Sequence, residues 1–342
     1  MRAMVQTGFG GPEVVRLRHV PDPAPGPAEL VVEVGACALN RLDVLQRRGP
    51  AVLPGFRLPH IAGTDVAGTV VATGPRVSGY AVGDRVVLDP TIGCGTCARC
   101  QAGDAGFCPA LRVVGGNIPG GFAEYVAAPA RLAYRLPAHV SLDEAAALPT
   151  AWSTAYRATH GVGQVRSGET VVVQAAASAV SIAAIQLAKR AGAAVVAVAS
   201  TGAKLAVAAD LGADLLLRND DDVPAAVRDH TGGRGADLVL DHVGAATWSN
   251  SVASLAIGGR LVVFGNTSGD QVEFSLADVY HRGLRLLGAG AYGAEDFTAV
   301  LDAYCAGGLR ALRAGAYGLA ELPAAFAHQE SRDTIGKVLV LP

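Results

Sequence analysis

The alternation of apolar strands with amphipathic helices between residues 170 and 264 limits the fold of this chain more than any other feature. Its strands are nearly continuous apolar runs, such as VVV at 171–173 and LVL at 238–240. Strands buried on both faces of a parallel sheet have this composition, and the intervening helices cover the faces. The pattern predicts a doubly wound α/β domain with strands at 170–174, 194–199, 215–217, 237–241 and 260–264 and helices at 181–191, 203–211, 223–230 and 248–255.

The first 150 residues have a different pattern. Short β-branched runs are separated by Gly and Pro, without long helical periodicity. This pattern predicts a β-rich lobe, with strands near 30–34, 66–73, 85–89 and 123–127.

Composition and charge exclude several functional classes. The 342 residues, 51% of them hydrophobic, are sufficient for the cores of two domains. The 28 basic residues nearly balance the 30 acidic ones, so the charge pattern expected for nucleic acid or anionic membranes is missing. No apolar stretch reaches the roughly 18–20 residues that span a bilayer, and the N-terminus lacks a signal-peptide core. We expect a cytoplasmic protein that acts on a small molecule, with no nucleic-acid or membrane partner.

Four of the six cysteines lie close together with the spacing C-x2-C-x2-C-x7-C. In a reducing cytoplasm this cluster indicates a metal site rather than disulfides. Four thiolates fill a tetrahedral Zn²⁺ shell at about 2.3 Å and leave no position for water or substrate, so the ion would be structural. Unliganded thiols and an iron–sulfur cluster are the alternatives. The predicted zinc ligands are Cys94, Cys97, Cys100 and Cys108.

Seven short segments carry a resemblance to a known superfamily. They are FGGPEV at 9–14, PHIAGTDVAG at 59–68, VGDRV at 82–86, GGFAEY at 120–125, EAAALP at 144–149, DHVG at 241–244 and GGRLV at 258–262. On these segments the chain resembles the medium-chain dehydrogenase/reductase superfamily, which contains zinc alcohol dehydrogenases and quinone oxidoreductases. The resemblance implies a GroES-like, β-rich catalytic domain at 1–151 and 290–342 and a Rossmann nucleotide-binding domain at 152–289. It also implies a homodimer joined near 285–289.

The turn after the first strand of the doubly wound domain has the position of a dinucleotide-binding loop. Residues 175–181 read AAASAVS, and small side chains allow the backbone to approach a pyrophosphate at a helix N-terminus. Ala179 and Ser181 stand where the superfamily usually has glycine. A buried turn that binds no ligand is the alternative.

The end of the second strand indicates which dinucleotide binds. Members that prefer NAD have an acidic residue there, whereas this chain has Ser200, Thr201 and Lys204. These donors favour the 2′-phosphate of NADP(H); a solvated helix charge is the alternative for Lys204. Together with positions implied by the resemblance, the predicted cofactor-binding residues are Thr154, Ala177, Ser178, Ala179, Val180, Ser200, Thr201, Lys204, Val243, Phe264, Gly265 and Lys337.

The positions that hold catalytic zinc in the superfamily's alcohol dehydrogenases carry other residues here. Cys37 matches the first ligand, but Thr64 and Thr150 stand at the other two. One thiol and two hydroxyls do not hold Zn²⁺ against water. We interpret Cys37 as a small buried residue and Asp65 as a brace of the backbone, and we expect no catalytic zinc.

Without a Lewis acid, hydride transfer to an activated C=C bond is favoured, because its charge spreads onto a conjugated carbonyl. The pair Asn40 and Asp43 and the turn at 63–65 are similar to those of the metal-free quinone oxidoreductase branch. From this resemblance we predict an NADPH-dependent reductase of an enone, enal or quinone, in which Asn40 and Thr64 donate hydrogen bonds near the substrate oxygen. One alternative is an alcohol dehydrogenase or carbonyl reductase with a cleft metal rebuilt around Cys37 and Asp65. The other is a non-redox scaffold or a cofactor-independent catalyst of the same fold.

Overall fold

The chain forms two structural units, and its C-terminal segment returns to the first of them. Unit 1 comprises Met1–Thr150 and Gly293–Pro342, and unit 2 comprises Ala151–Tyr292. The structure, a computed structural model, describes residues 1–49, 53–331 and 333–342. Within these ranges no helix combines the length and the apolar character needed to cross a membrane.

The N-terminal part of unit 1 consists mainly of short strands between Gly- and Pro-containing turns, as its sequence pattern predicts. Short 3₁₀ turns lie at Pro12–Val14, Ala105–Phe107 and Ala130–Leu132. In chain order the elements are β1 (Arg2–Gln6), β2 (Val15–His19), β3 (Glu29–Ala38), α1 (Arg41–Arg48), β4 (Asp65–Thr73), β5 (Arg85–Leu88), β6 (Thr91–Ile92), α2 (Ala98–Gln101), β7 (Arg112–Val113), β8 (Tyr125–Pro129), β9 (Ala133–Arg135) and α3 (Leu142–Ala146).

Unit 2 alternates strands and helices. A helix that begins at the end of unit 1 continues into a π-helical turn at Arg157–Val162 before the first strand. The elements are α4 (Pro149–Tyr156), β10 (Thr170–Val173), α5 (Ala179–Arg190), β11 (Ala194–Ala199), α6 (Gly202–Asp210), β12 (Leu215–Arg218), α7 (Val223–His230), β13 (Ala236–Asp241), α8 (Trp248–Ala253), β14 (Leu255–Val263), α9 (Leu276–Arg282) and β15 (Arg285–Gly288).

The sheet of unit 2 has six parallel strands in the order β12-β11-β10-β13-β14-β15. The predicted doubly wound sheet is therefore confirmed. The strand order reverses between β10 and β13, and in such sheets the ligand crevice lies at the carboxyl ends of these two strands. The largest boundary difference in this unit is at β14, which begins at Leu255, before the predicted start at 260, because the strand continues through Gly258 and Gly259 with an irregular register against β13.

The last 50 residues complete unit 1. They form α10 (Ala294–Cys305), β16 (Arg313–Gly318), a 3₁₀ turn at Leu319–Glu321, α11 (Leu322–Glu330) and β17 (Lys337–Leu341). The main sheet of unit 1 has the order β16-β17-β3-β4-β5-β9, with β8 also paired to β3. Strand β3 thus pairs with β17, β4 and β8, which places the C-terminal strand next to the start of α1.

Candidate functional site

The four predicted zinc ligands lie on the loop between β6 and β7 in unit 1. Their Sγ atoms are all within 4.8 Å of one another, and two separations, Cys94–Cys100 and Cys97–Cys108, are 3.9 and 3.8 Å. A tetrahedron with bonds of about 2.3 Å has edges of about 3.8 Å, so these separations fit a Zn²⁺ shell. Among the described residues, these cysteines are the one group of three or more Cys, His, Asp or Glu side chains that could hold a metal ion.

The backbone of this loop is fitted to the sulfur cluster. The N–H groups of Cys94 and Cys97 donate to the Sγ atoms of Cys108 and Cys94, both at 3.3 Å, and such donors stabilise thiolates. Gly93 passes so close that a Cβ there would lie 2.8 Å from the Sγ of Cys100. The donor set fits a zinc ion with a complete shell, which leaves no open position for catalysis.

A buried hydrogen-bond network in unit 1 joins both predicted catalytic residues to the last strand. The Lys337 ammonium donates to Asn40 Oδ1 at 2.5 Å, to Asp65 Oδ2 at 2.7 Å and to the Leu39 carbonyl at 3.1 Å. Asn40 Nδ2 donates to Thr64 Oγ1 at 2.7 Å. These side chains are excluded from solvent, with 2% exposure for Thr64 and 4% for Lys337. The Asn40 amide, predicted as a donor to substrate, is thus hydrogen-bonded within the protein.

Strand pairing brings these distant residues together. Ala38, near the end of β3, lies opposite Asp65 at the start of β4 and opposite Leu339 in β17. Asn40, the N-cap of α1, lies two residues beyond the end of β3. Lys337 was predicted to line the cofactor, but its three N–H groups are engaged in unit 1. No local sequence pattern links residues 297 positions apart, so sequence reasoning missed this network.

The three positions equivalent to metal ligands are all engaged in packing or hydrogen bonding. Thr150 donates its hydroxyl and its backbone N–H to Asp65 Oδ1 at 2.5 and 3.1 Å. The Cys37 sulfur is packed so that a Cβ on Gly63 would lie 2.8 Å from it. Burial raises the pKa of the Cys37 thiol well above its usual value, and the nearby carboxylates raise it further. One thiol and the hydroxyls of Thr64 and Thr150 do not fit a zinc ligand set.

Asp43 has a buried carboxyl group that contacts the backbone on either side of the same network. It accepts hydrogen bonds from the backbone N–H groups of Asn40 at 2.7 Å and Gly63 at 3.1 Å, and it is 1% exposed. Burial raises its pKa to about 7, although the two N–H donors oppose this shift. Asp43 therefore exchanges a proton near neutral pH while holding the turns that carry Asn40 and Thr64.

In unit 2, the turn between β10 and α5 is linked to the segment after β13. Ser178 is the N-cap of α5, and its Oγ accepts from the Ser181 N–H at 3.2 Å. The Ser181 hydroxyl donates to the Gln174 carbonyl at 2.7 Å, while His242 Nε2 lies 3.0 Å from Ser178 Oγ and 3.1 Å from Ser181 Oγ. Because the Ser181 proton is already used, Nε2 of His242 must carry the proton it shares with the serines. The Ser178 hydroxyl keeps its own proton to donate.

Burial lowers the pKa of His242, which keeps the ring neutral at physiological pH. Sequence reasoning assigned no hydrogen-bonding role to His242. Its hydrogen bonds to the two serines became visible only once β10 and β13 were known to be neighbours. Ala175 takes a left-handed φ of +49°, a conformation that usually favours glycine. One residue of this turn therefore has a glycine-like backbone conformation, although residues 175–181 contain no glycine.

The other predicted cofactor residues of unit 2 fall into three groups. Ser200 and Thr201 are exposed after β11, where Thr201 caps α6 and Lys204 Nζ lies 3.3 Å from Ser200 Oγ. A second group follows β13 and β14, where Gly265 packs so closely that a Cβ there would lie 2.8 Å from the His242 carbonyl. The third group lies before or within the β10–α5 turn. The members of the second and third groups are buried or half-buried: Thr154, Ala177, Ser178, Ala179, Val180, Val243, Phe264 and Gly265.

Titration of Asp43 should make the protein less stable as pH rises from 5 to 8. Its folded pKa of about 7 lies above the ordinary value, so the folded state binds more protons in this range and loses the advantage as pH increases. The free energy of unfolding should fall by at most about 1.4 kcal/mol per pH unit through this group. In thermal unfolding, the stability of the native chain should decline more steeply with rising pH than the stability of Asp43→Asn. Equal slopes would contradict the prediction. Asp89 has a buried carboxyl whose pKa is raised to about 6, but it is present in both proteins, so its contribution to the slope cancels.

Comparison with known proteins covers both units. The model of the alcohol dehydrogenase GroES-like domain matches residues 26–138, and the model of the zinc-binding dehydrogenase family matches residues 179–305. An acryloyl-coenzyme A reductase of Sulfurisphaera tokodaii is 29% identical over 96% of each chain. A probable quinone oxidoreductase of Schizosaccharomyces pombe is 31% identical over 99% of this chain and 96% of its own.

Two solved structures extend the comparison. An NAD-dependent alcohol dehydrogenase is 40% identical with a TM-score of 0.96, and a mycobacterial protein complexed with NADPH is 30% identical with a TM-score of 0.82; both alignments cover each chain completely. The predicted GroES-like and Rossmann-like fold class is confirmed. The chain belongs to the medium-chain dehydrogenase/reductase superfamily of oxidoreductases.

Proposed function

We propose that this chain is an NADP(H)-dependent reductase of an activated C=C bond in an enone, enal or quinone, with one structural zinc and no catalytic zinc. The observation that carries the proposal is the residue set at the metal-ligand positions. Thr64 and Thr150 take part in a buried network, and the Cys37 sulfur is packed against Gly63. In this set the Thr64 hydroxyl is a hydrogen-bond donor at a position where the zinc alcohol dehydrogenases of the superfamily hold a Lewis acid.

A conjugated substrate suits such a donor. NADPH, which Ser178 and the first turn of α5 would hold, would supply a hydride to the β-carbon of such a substrate, and the electron pair of the C=C bond would move toward the carbonyl. The resulting charge on the carbonyl oxygen is stabilised by a hydrogen bond from Thr64. Solvent supplies the proton that completes the α-carbon. The acryloyl-coenzyme A reductase and the quinone oxidoreductase among the relatives act, by name, on compounds of this kind.

The cofactor proposal rests on the carboxyl edge of the parallel sheet. Ser178 and the first turn of α5 would contact the pyrophosphate, since the helix N-terminus presents N–H groups and Ser178 keeps a free hydroxyl proton. Ser200, Thr201 and Lys204 would contact the 2′-phosphate, because they offer hydroxyl and ammonium donors after β11. The NADPH complex of the mycobacterial neighbour supports this assignment.

A second candidate function is alcohol oxidation with NAD. The 40% identity to a structure titled as an NAD-dependent alcohol dehydrogenase favours it. This function would need a cleft metal built around Cys37, Asp65 and a further ligand, and therefore two metal ions per chain. The hydroxyl side chains at two of the three ligand positions and the engagement of Asp65 with Lys337 and Thr150 argue against such a site.

The test has two arms: oxidation of NADPH and NADH by the purified chain across enones, enals, quinones and aldehydes, and reduction of NADP⁺ and NAD⁺ across alcohols. Zinc is measured on the same preparation. We expect turnover of conjugated substrates with preference for NADPH. Lys204→Ala should raise KM for NADPH and leave KM for NADH unchanged, whereas Lys189→Ala, at a surface pair with Asp214, should change neither. Alcohol oxidation with two zinc ions per chain would support the second candidate, and no binding of either dinucleotide would support a non-redox scaffold.

One zinc ion per chain should stabilise unit 1. Cys97→Ser and Cys100→Ser should each lose the ion and lower the stability by about 3 kcal/mol, the chain-entropy value for a closed loop of about 15 residues. Cys305→Ser is the matched control, because Cys305 lies in α10 outside the cluster. The measurements are elemental analysis and chemical unfolding. Full zinc content in the Cys100→Ser variant would contradict the assignment.

We also propose a homodimer joined through β15, the edge strand of the unit 2 sheet. An edge strand offers unpaired backbone groups to another chain. Large apolar side chains are exposed in the same unit, with Ile257 at 85%, Leu276 at 77% and Tyr280 at 80%. Light scattering should give twice the mass of one chain, and Arg285→Pro, at the start of β15, should shift it toward the monomer. A monomeric mass for the native chain would contradict the proposal.

A further inference from the structure

The direction of the hydrogen bond between Asn40 and Thr64 in the buried network of unit 1 is set by Lys337. A lysine ammonium has three donors and no acceptor, and all three donate here, to Leu39, Asn40 and Asp65. The atom of Asn40 that faces Lys337 at 2.5 Å must therefore be its oxygen. The amide orientation, which is often ambiguous, is fixed by chemistry at this position.

The same logic continues from Asn40 to Thr64. With its oxygen facing Lys337, Asn40 presents its Nδ2 group to Thr64 Oγ1 at 2.7 Å. The amide nitrogen donates only, so the Thr64 oxygen accepts and the Thr64 proton must point elsewhere. In the described ranges of the chain, no hydrogen bond from the Thr64 hydroxyl is observed, and the residue is 2% exposed. A buried donor without an acceptor is costly unless a ligand provides one.

We infer that Lys337 is a positioning residue of the active site, which acts through Asn40 to hold the Thr64 hydroxyl as a donor to the substrate oxygen. The inference rests on the proposed function, since that oxygen is the carbonyl oxygen of a conjugated substrate. It also divides the roles of the two predicted catalytic residues. Thr64 contacts the substrate, whereas Asn40 transmits the orientation that Lys337 sets.

A purely structural role of Lys337 is the alternative, because its charge also neutralises the buried Asp65 at 2.7 Å. The two roles differ in what they require of Asn40. Neutralisation of Asp65 does not depend on which atom Asn40 presents to Thr64. Positioning depends on it entirely, because an oxygen at that place would accept the Thr64 proton and leave none for the substrate.

The decisive variant is Asn40→Asp. It keeps the shape of the side chain and the oxygen that accepts from Lys337, but it places a second oxygen opposite Thr64. The Thr64 hydroxyl must then donate to that oxygen. We expect kcat for an enone to fall about 100-fold, as in Thr64→Val, because loss of one oxyanion donor costs roughly 10²–10³ in rate. The Kd for NADPH should stay within about twofold, and Thr64→Ser should retain most of the turnover.

A double-mutant cycle separates positioning from an independent effect of the added charge. If Asn40 acts only through Thr64, Asn40→Asp combined with Thr64→Val should be no slower than Thr64→Val alone. Losses that multiply, or an Asn40→Asp variant with near-native kcat, would overturn the inference while the proposed function stands. A native chain that reduces no conjugated substrate with NADPH would overturn both. Lys189→Met is the control and should leave kcat unchanged.

A double variant, measured in two backgrounds, tests the inference if Asn40→Asp does not fold. Removing Lys337 alone would leave Asp65 charged and unpaired in the interior, so Lys337→Met is combined with Asp65→Asn. This double variant should lower kcat about 10-fold in the native background and should have no further effect in the Thr64→Val background. An equal loss in both backgrounds would overturn the inference. Thermal unfolding of each variant confirms that folded protein is compared.

Discussion

The antiparallel pairing of β3 with β4 on one side and β17 on the other is the constraint on which the candidate site depends. It places the ends of three strands together, so that Asn40, Asp65 and Lys337 meet although two of them lie 297 positions apart. Because register in a sheet has a period of two, a slip of one residue in β17 would turn Lys337 to the opposite face. The return of the C-terminal segment to unit 1 is therefore a requirement of the site as well as of the fold.

Local patterns were sufficient for most of the fold. Continuous apolar runs predicted β10, β11 and β13 to within one residue at each end, because strands buried on both faces have few alternatives. The start of β14 was placed too late, since two adjacent glycines normally end a strand and here they lie within one. Irregular pairing that accommodates such residues depends on the neighbouring strand, and a single-sequence pattern contains no information about it.

The candidate site, like the fold, could be predicted only in part from the sequence. The four cysteines were identifiable because metal ligands on one loop have a characteristic spacing, and their sulfur atoms lie together in the structure. The importance of Asn40 and Thr64 was predicted from resemblance, but their hydrogen-bond directions were not, because these depend on Lys337. His242 shows the same limit. Its protonated nitrogen follows from Ser181, whose hydroxyl already donates to the Gln174 carbonyl, and Ser181 lies near His242 only because β10 and β13 are neighbours.

The buried charges show what the network can and cannot replace. A zinc ion carries two positive charges at the reacting oxygen, whereas Lys337 carries one, largely balanced by Asp65 and separated from Thr64 by Asn40. In the proposed reaction the network therefore offers one oriented hydrogen bond instead of a metal bond. An isolated carbonyl or alcohol concentrates charge on a single oxygen and needs the stronger partner. A conjugated substrate spreads the charge over several atoms, which is why replacement of the metal ligands by Thr64 and Thr150 changes the expected class of substrate rather than only the rate.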